Sequence, residues 1–219
     1  MSMELPARKP GWKRIFLIRH GETFANEQNL LQGKRIDSSL NFKGKLQALQ
    51  LREFFESFGY NFSHVFTSCK QRSIQTAEVS FPNVPSQRIE SLDEMDYGDT
   101  WDGVFLVDLI PELRKLSKRW SMGETHIKCP NGESPEDVFA RVKRAFDSII
   151  RSGDSDTISA VVAHSFVNKI LISQLKYGSI AHLALIKQDH CCINVIDFKI
   201  ETDEAEIHEI NFCKHTANL

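Results

Sequence analysis

The chain has 219 residues, 41% hydrophobic and 26% charged, with a formal net charge of −2. That size fits one sizeable α/β domain, the composition excludes a disordered chain, and the near-neutral charge gives no global pull toward nucleic acid or an anionic membrane. No apolar run approaches a membrane span, no signal-peptide pattern opens the chain, and Cys69, Cys129, Cys191, Cys192 and Cys213 form no Cys-x-x-Cys pair, so a reducing, cytoplasmic location is expected.

Residues 1–13, with Pro6, Arg8, Lys9, Pro10 and Gly11, read as a loose extension before a single domain over 14–219. The apolar run 15–18 is a first strand. Leu51, Phe54, Phe55 and Phe58 fall at helical spacing, which predicts a helix over 42–58 stopped at Gly59. A second strand follows at 64–67 and a helix at 70–79. Residues 93–133 hold Trp101, Pro111, Trp120 and several glycines and read as an irregular, lid-like segment. Ser134-Pro135-Glu136-Asp137 has the marks of a helix start, and Val138, Val142, Ala145, Phe146 and Ile149 give that helix one apolar face. The run 158–163 suits a strand buried on both faces. A helix over 166–175 and strands over 192–198 and 205–212 complete the pattern, with a turn at 201–204 and Cys191-Cys192 read as strand packing. Alternating strands and helices argue for an α/β domain with a mainly parallel sheet.

Chemistry gathers at the strand ends, where α/β sheets bind ligands. After 15–18 comes Arg19-His20-Gly21-Glu22-Thr23-Phe24-Ala25-Asn26. Glycine lets the backbone approach a ligand, arginine offers a fork of donors to phosphate, and a neutral histidine is a nucleophile. Together they suggest histidine attack on a phosphoryl group. The run Val161-Val162-Ala163-His164-Ser165 repeats the logic and puts His164 at a helix N-terminus, where an anion is favoured. Arg72 lies in Thr67-Ser68-Cys69-Lys70-Gln71-Arg72-Ser73-Ile74-Gln75-Thr76-Ala77, again after a strand.

The octapeptide resembles the Arg-His-Gly-Glu/Gln-Ser/Thr-x-x-Asn signature of the histidine phosphatase superfamily, also called phosphoglycerate mutase-like. The His164 segment is similar to that family's second histidine, with Ser165 where glycine is common. The Arg72 segment resembles Ser-x-x-x-Arg-Ala-x-Gln-Thr-Ala, with Ser73 for alanine. Leu92-Asp93-Glu94-Met95-Asp96-Tyr97-Gly98 is similar to the segment whose glutamate donates a proton. Gln32-Gly33, 39–48 with Asn41 at a helix cap, and Asn131-Gly132-Glu133-Ser134 with Arg141 match smaller pieces. The segments from 163 to 169 and from 188 to 198 look most like the carboxyarabinitol-1-phosphatase branch.

The resemblance implies a three-layer α/β/α fold with a mainly parallel central sheet. It implies His20 as nucleophile and Glu94 as proton donor, with Asp96 and Asp102 as live alternatives. It places phosphate on Arg19, Arg72, His164, Asn26 and Ser165, with His164 protonated, and substrate contacts on Thr23, Gln32, Gly33 and Tyr97. Lys34, Arg35, Lys115, Arg119, Trp101 and Trp120 are read as surface. The expected function is a metal-independent phosphomonoesterase for a small phosphorylated metabolite, with no cofactor, no nucleic-acid or membrane partner, and a homodimer left open. A mutase of the phosphoglycerate type, using 2,3-bisphosphoglycerate, is the alternative. The short interval between His20 and His164 disfavours it. A non-catalytic interaction protein on the same fold is the third reading.

Overall fold

Six strands form one sheet in the order β3-β2-β4-β1-β5-β6. The computed structural model describes residues 3, 5–153, 157–202 and 204–217. At the centre, β1 (Trp12–Arg19) pairs in parallel with β4 (Ile158–Ala163), Arg19 opposite Ala163. On the other side of β4, β2 (His64–Thr67) is also parallel, with Thr67 opposite Val162. This register brings the ends of three apolar runs to one edge of the sheet, so His20, His164 and the Arg72 segment emerge side by side. The sheet is completed by β3 (Ser86–Arg88), parallel to β2, and by the antiparallel β5 (Ile193–Lys199) and β6 (Ala205–Phe212).

Alternation along β1 splits the core in two. Ile15 and Leu17 pack on the side of α5 (Pro135–Arg151) and α6 (Ser165–Tyr177). Phe16 and Ile18 pack on the side of α2 (Phe42–Ser57) and α3 (Gln71–Ser80). Successive strand side chains point to opposite faces, so a fully apolar strand demands a helical layer on each. The result is the expected α/β/α arrangement. Ser134 caps α5 in a reciprocal pair with Asp137, and the Asn41 side chain accepts from the Gly44 amide at the start of α2.

The structure departs from the sequence expectations on five points. The first strand begins at Trp12, because Lys13 and Arg14 are buried with partners: Lys13 donates to Ile149 O at 3.0 Å, and Arg14 forks onto Asp197 with two 2.7 Å bonds. The described residues before it are not a loose tail: Met3 packs in the core and Pro6 O accepts from Arg14. Met1, Ser2 and Glu4 lie outside the described residues. The irregular segment contains α4 (Leu106–Ser121), masked in the sequence by Pro111, which lacks an N–H. Trp101 and Trp120 are buried in the core rather than on the surface. Cys191 and Cys192 precede β5, with Cys191 at φ 53 in a turn rather than in the strand. The β5–β6 turn is present, although Asp203 falls outside the described residues.

Candidate active site

His20 is 4% exposed, and its Nδ1 lies 2.7 Å from the carbonyl oxygen of Gly21. A carbonyl accepts only, so Nδ1 carries the proton and Nε2 keeps a free lone pair. Burial, then the nearby Arg72 and Arg19, pushes the His20 pKa well below its usual value. The ring is therefore neutral near pH 7, the state a nucleophile needs. Gly21 and Gly44 allow this loop to lie directly on α2; a Cβ on Gly44 would run into the backbone oxygen of Glu22.

The ring of His164 stands 5.2 Å from that of His20, centre to centre. Arg72 donates from Nε to His164 Nδ1 at 3.1 Å, which leaves the imidazole proton on Nε2, 2.7 Å from Ser68 Oγ. Burial first, then Arg72, lowers the His164 pKa well below normal. The expectation of a protonated His164 is thus corrected: its Nδ1 accepts from Arg72, and a buried imidazolium beside a guanidinium is disfavoured twice over. Arg72 is fully buried, and its remaining donors hold Ile36 O at 2.8 Å and Gly33 O at 3.1 Å. Burial lowers its pKa to about 10, so it stays cationic at neutral pH.

Arg19 donates to Gln188 O at 2.7 Å and lies 2.9 Å from His190 Nε2, while its buried Nε has no partner among the described residues. Beneath it, Gln188 is held by Asn168 and Asn194. Lys169 on α6, half-buried near Arg19 and Glu94, makes no hydrogen bond or ion pair among the described residues. Sequence reasoning missed His190, Gln188 and Lys169. His190 sits in a turn with no periodicity to mark it.

Glu94 is 5% exposed and accepts from the amides of Met95 (3.0 Å) and Phe166 (3.2 Å). Arg141 fixes its backbone, donating to Asp93 O at 2.6 Å and Glu94 O at 3.1 Å while forking onto Glu133. Of the alternatives, Asp96 is forked by Arg35 at 2.8 and 3.1 Å. Asp102 accepts from the Gly33 amide at 2.5 Å and the Arg35 amide at 3.0 Å. Burial nevertheless raises the Asp102 pKa against those two amides.

Thr23 is fully buried, capping the short helix α1 (Phe24–Glu27) and donating to Gln32 Oε1 at 2.7 Å. The Gln32 Nε2 is buried without a partner among the described residues. Gly33 O receives Arg72, and a Cβ there would strike Met95 O and Asp102. Asn26 Oδ1 accepts from the Thr23 amide at 3.2 Å and lies 3.1 Å from His190 Nε2. Tyr97 is half-buried, edge-on to Phe166, and burial raises its pKa well above normal. Ser165 opens α6 directly after His164. Lys34 pairs with Glu90, and Arg119 with Glu124.

An open cleft of about 570 Å³ adjoins Arg19 and His190 and is lined also by Glu22, Lys43 and Asp189. Among the described residues, no cluster of three or more His, Cys, Asp or Glu side chains is arranged to hold a metal, and no helix is long and apolar enough to cross a membrane. Two arginines, two neutral histidines and one buried carboxyl group can together bind a phosphoryl group and pass it between oxygen and nitrogen.

Similar arrangements of sequence and fold occur in known proteins. The chain is 23% identical over 205 residues to a broad-specificity phosphatase of Saccharomyces cerevisiae, covering 92% of this chain and 86% of that one. It is 28% identical over 204 residues to the 6-phosphofructo-2-kinase/fructose-2,6-bisphosphatase of Caenorhabditis elegans, covering 88% of this chain but 43% of that protein. The chain thus spans less than half the length of the nematode relative. The crystal structure of the α-ribazole phosphatase from Shigella flexneri matches with a TM-score of 0.75 and 27% identity, covering 91% of this chain and 96% of that one. Residues 15–212 match the family model of the histidine phosphatase superfamily (branch 1), and the chain belongs to that family.

Proposed function

We propose that the protein hydrolyses phosphomonoesters of small metabolites through a phosphohistidine on His20. The observation that carries this reading is the Nδ1-to-Gly21 hydrogen bond, which leaves the Nε2 lone pair of a neutral His20 free beside Arg19, Arg72 and His164.

The ester's phosphoryl group enters beside Arg19 and Arg72. At an effective dielectric near 20, each positive group ~4 Å from a unit charge is worth up to about 4 kcal/mol before desolvation. The unpaired Arg19 Nε offers it a donor at once. Nε2 of His20 forms a bond to phosphorus as the bond to the ester oxygen breaks. Glu94 gives its proton to that oxygen, and the alcohol leaves. Water then attacks phosphorus, Glu94 takes back a proton, and the N–P bond breaks to release inorganic phosphate. The arginines supply the charge stabilisation that a metal supplies elsewhere, so no metal is required.

The test is a panel of sugar phosphates, phosphoamino acids and p-nitrophenyl phosphate, run with chelator and beside a coupled assay for 2-phosphoglycerate formed from 3-phosphoglycerate and a trace of 2,3-bisphosphoglycerate. Phosphate release should exceed isomerisation. Faster isomerisation would favour the mutase alternative.

A further inference from the structure

His190 makes two polar contacts that no neutral imidazole can satisfy together. Its Nε2 is 2.9 Å from Arg19 Nη2 and 3.1 Å from Asn26 Oδ1. Arg19 can only donate, so it requires a bare Nε2. Asn26 cannot answer by turning its amide, because its Oδ1 also accepts from the Thr23 backbone N–H in the cap of α1. With Nε2 bare, the Asn26 contact sets lone pair against lone pair. With Nε2 protonated, the Arg19 contact sets proton against proton. Becoming cationic is no escape, because the proton on Nε2 would still face Arg19, and burial first, then Arg19, lowers the pKa to about 3. On its other edge Nδ1 faces Glu22 at 4.0 Å, toward the cleft it lines with Asp189 and Lys43.

We propose that His190 is a positioning residue of the phosphate site, an acceptor for Arg19 while the site is empty and, once an anion has drawn Arg19 away, a donor from Nε2–H to Asn26. The inference rests on the reading of Arg19 as a phosphate ligand. The ring centres of His190 and His20 are 5.9 Å apart, so an anion on His20 lies beside His190 and competes for Arg19. When Arg19 turns to the anion, the ring gives up its Nδ1 proton, gains one on Nε2 by exchange with water, and remains neutral. The mismatched contact with Asn26 becomes a hydrogen bond. Anion binding thereby removes an unfavourable contact from the empty site, and Asn26 is locked where it can meet the phosphoryl oxygens.

The experiment is nitrogen-15 NMR of the full chain labelled at histidine, titrated with tungstate as the probe, with His190→Phe used to assign the resonance. The expected result is that the unprotonated nitrogen of His190 changes from Nε2 to Nδ1 as tungstate saturates. In addition, His190→Phe should weaken tungstate binding about tenfold, with His190→Gln, which keeps a donor and an acceptor, recovering most of the loss. Tungstate binding with no change of His190 tautomer would overturn the proposal while leaving the phosphatase reading intact. Tungstate binding to His190→Phe as tight as to the wild-type chain would overturn it too. Absence of both tungstate binding and phosphate release would instead defeat the reading of the site, and this inference with it.

Discussion

Arg72 and His164 meet through one hydrogen bond, Nε to Nδ1 at 3.1 Å, that ties the end of one strand to the helix after another. The bond fixes which nitrogen of His164 carries the proton and holds the guanidinium at the proposed phosphate position. Preorganisation of this kind stabilises charge without reorganisation at the moment of reaction.

Arg72→Lys should damage both fold and activity. Arg72 is fully buried and serves three acceptors, Gly33 O, Ile36 O and His164 Nδ1. A lysine cannot span them, and each buried acceptor left unpaired costs about 1–3 kcal/mol. The expected outcome in urea unfolding is a loss of about 2–4 kcal/mol. Phosphate-release assays should show kcat/KM down about a hundredfold or more. A variant as stable and active as the wild type would show that the bond network is incidental.

Glu94→Gln should slow alkyl phosphates far more than p-nitrophenyl phosphate, whose leaving group needs little protonation. Asp96→Asn and Asp102→Asn should not show that dependence, because Asp96 is forked by Arg35 and Asp102 is engaged with the amides of Gly33 and Arg35. The raised pKa of Asp102 makes it the meaningful control. If Asp102→Asn alone shows the leaving-group dependence, the proton donor is Asp102.

Acid should destabilise the fold through its buried histidines. Burial lowers His215 to about 4, against a raising contribution from the Cys191 carbonyl, and lowers His190 to about 3. In the unfolded chain histidine titrates near 6.5. The folded pKa is the lower one, so the unfolded state takes up protons first, and stability that is complete above about pH 6.5 falls as pH drops toward the folded values. Each such histidine contributes a slope of about 1.4 kcal/mol per pH unit. His215→Phe, which keeps a ring stacked on Phe212, should flatten the dependence by about that slope between pH 6.5 and 4. Urea midpoints at pH 7, 6 and 5 measure it, and an unchanged slope would contradict the assignment.

Gly44→Ala should destabilise the protein although alanine is the better helix former. A Cβ at this position of α2 collides with the Glu22 backbone, which is not free to yield because Gly21 and Glu22 carry on directly from His20. Thermal unfolding and phosphate release should both fall. A gain in stability would mean that the loop can move away from α2 without cost.

The strands, most helices and the strand-end cluster were legible because they rest on local signals: continuous apolar runs, 3.6-residue spacing and caps such as Ser134. The N-terminal half of β1 was not, since Lys13 and Arg14 are polar in sequence and buried only because Ile149, Ser152 and Asp197 are supplied from distant segments. β3 is three residues, Ser86-Gln87-Arg88, with no apolar alternation. α4 was obscured by Pro111. The charge state of His164 depends on burial and on Arg72, neither of which its strand-end motif records. His190 lies beside Arg19 in a turn where Cys191 adopts φ 53, a position that no periodicity in the sequence marks.

The central claim is that His20 Nε2 takes the phosphoryl group. Rapid mixing with a labelled phosphomonoester, an alkaline quench that preserves N–P bonds, and peptide mapping test it most directly. The account predicts label on the peptide carrying His20, formed and lost at rates compatible with turnover and absent from His20→Ala, which should lose nearly all phosphate release. Turnover by the wild-type chain with no label on His20, or undiminished turnover by His20→Ala, would contradict it.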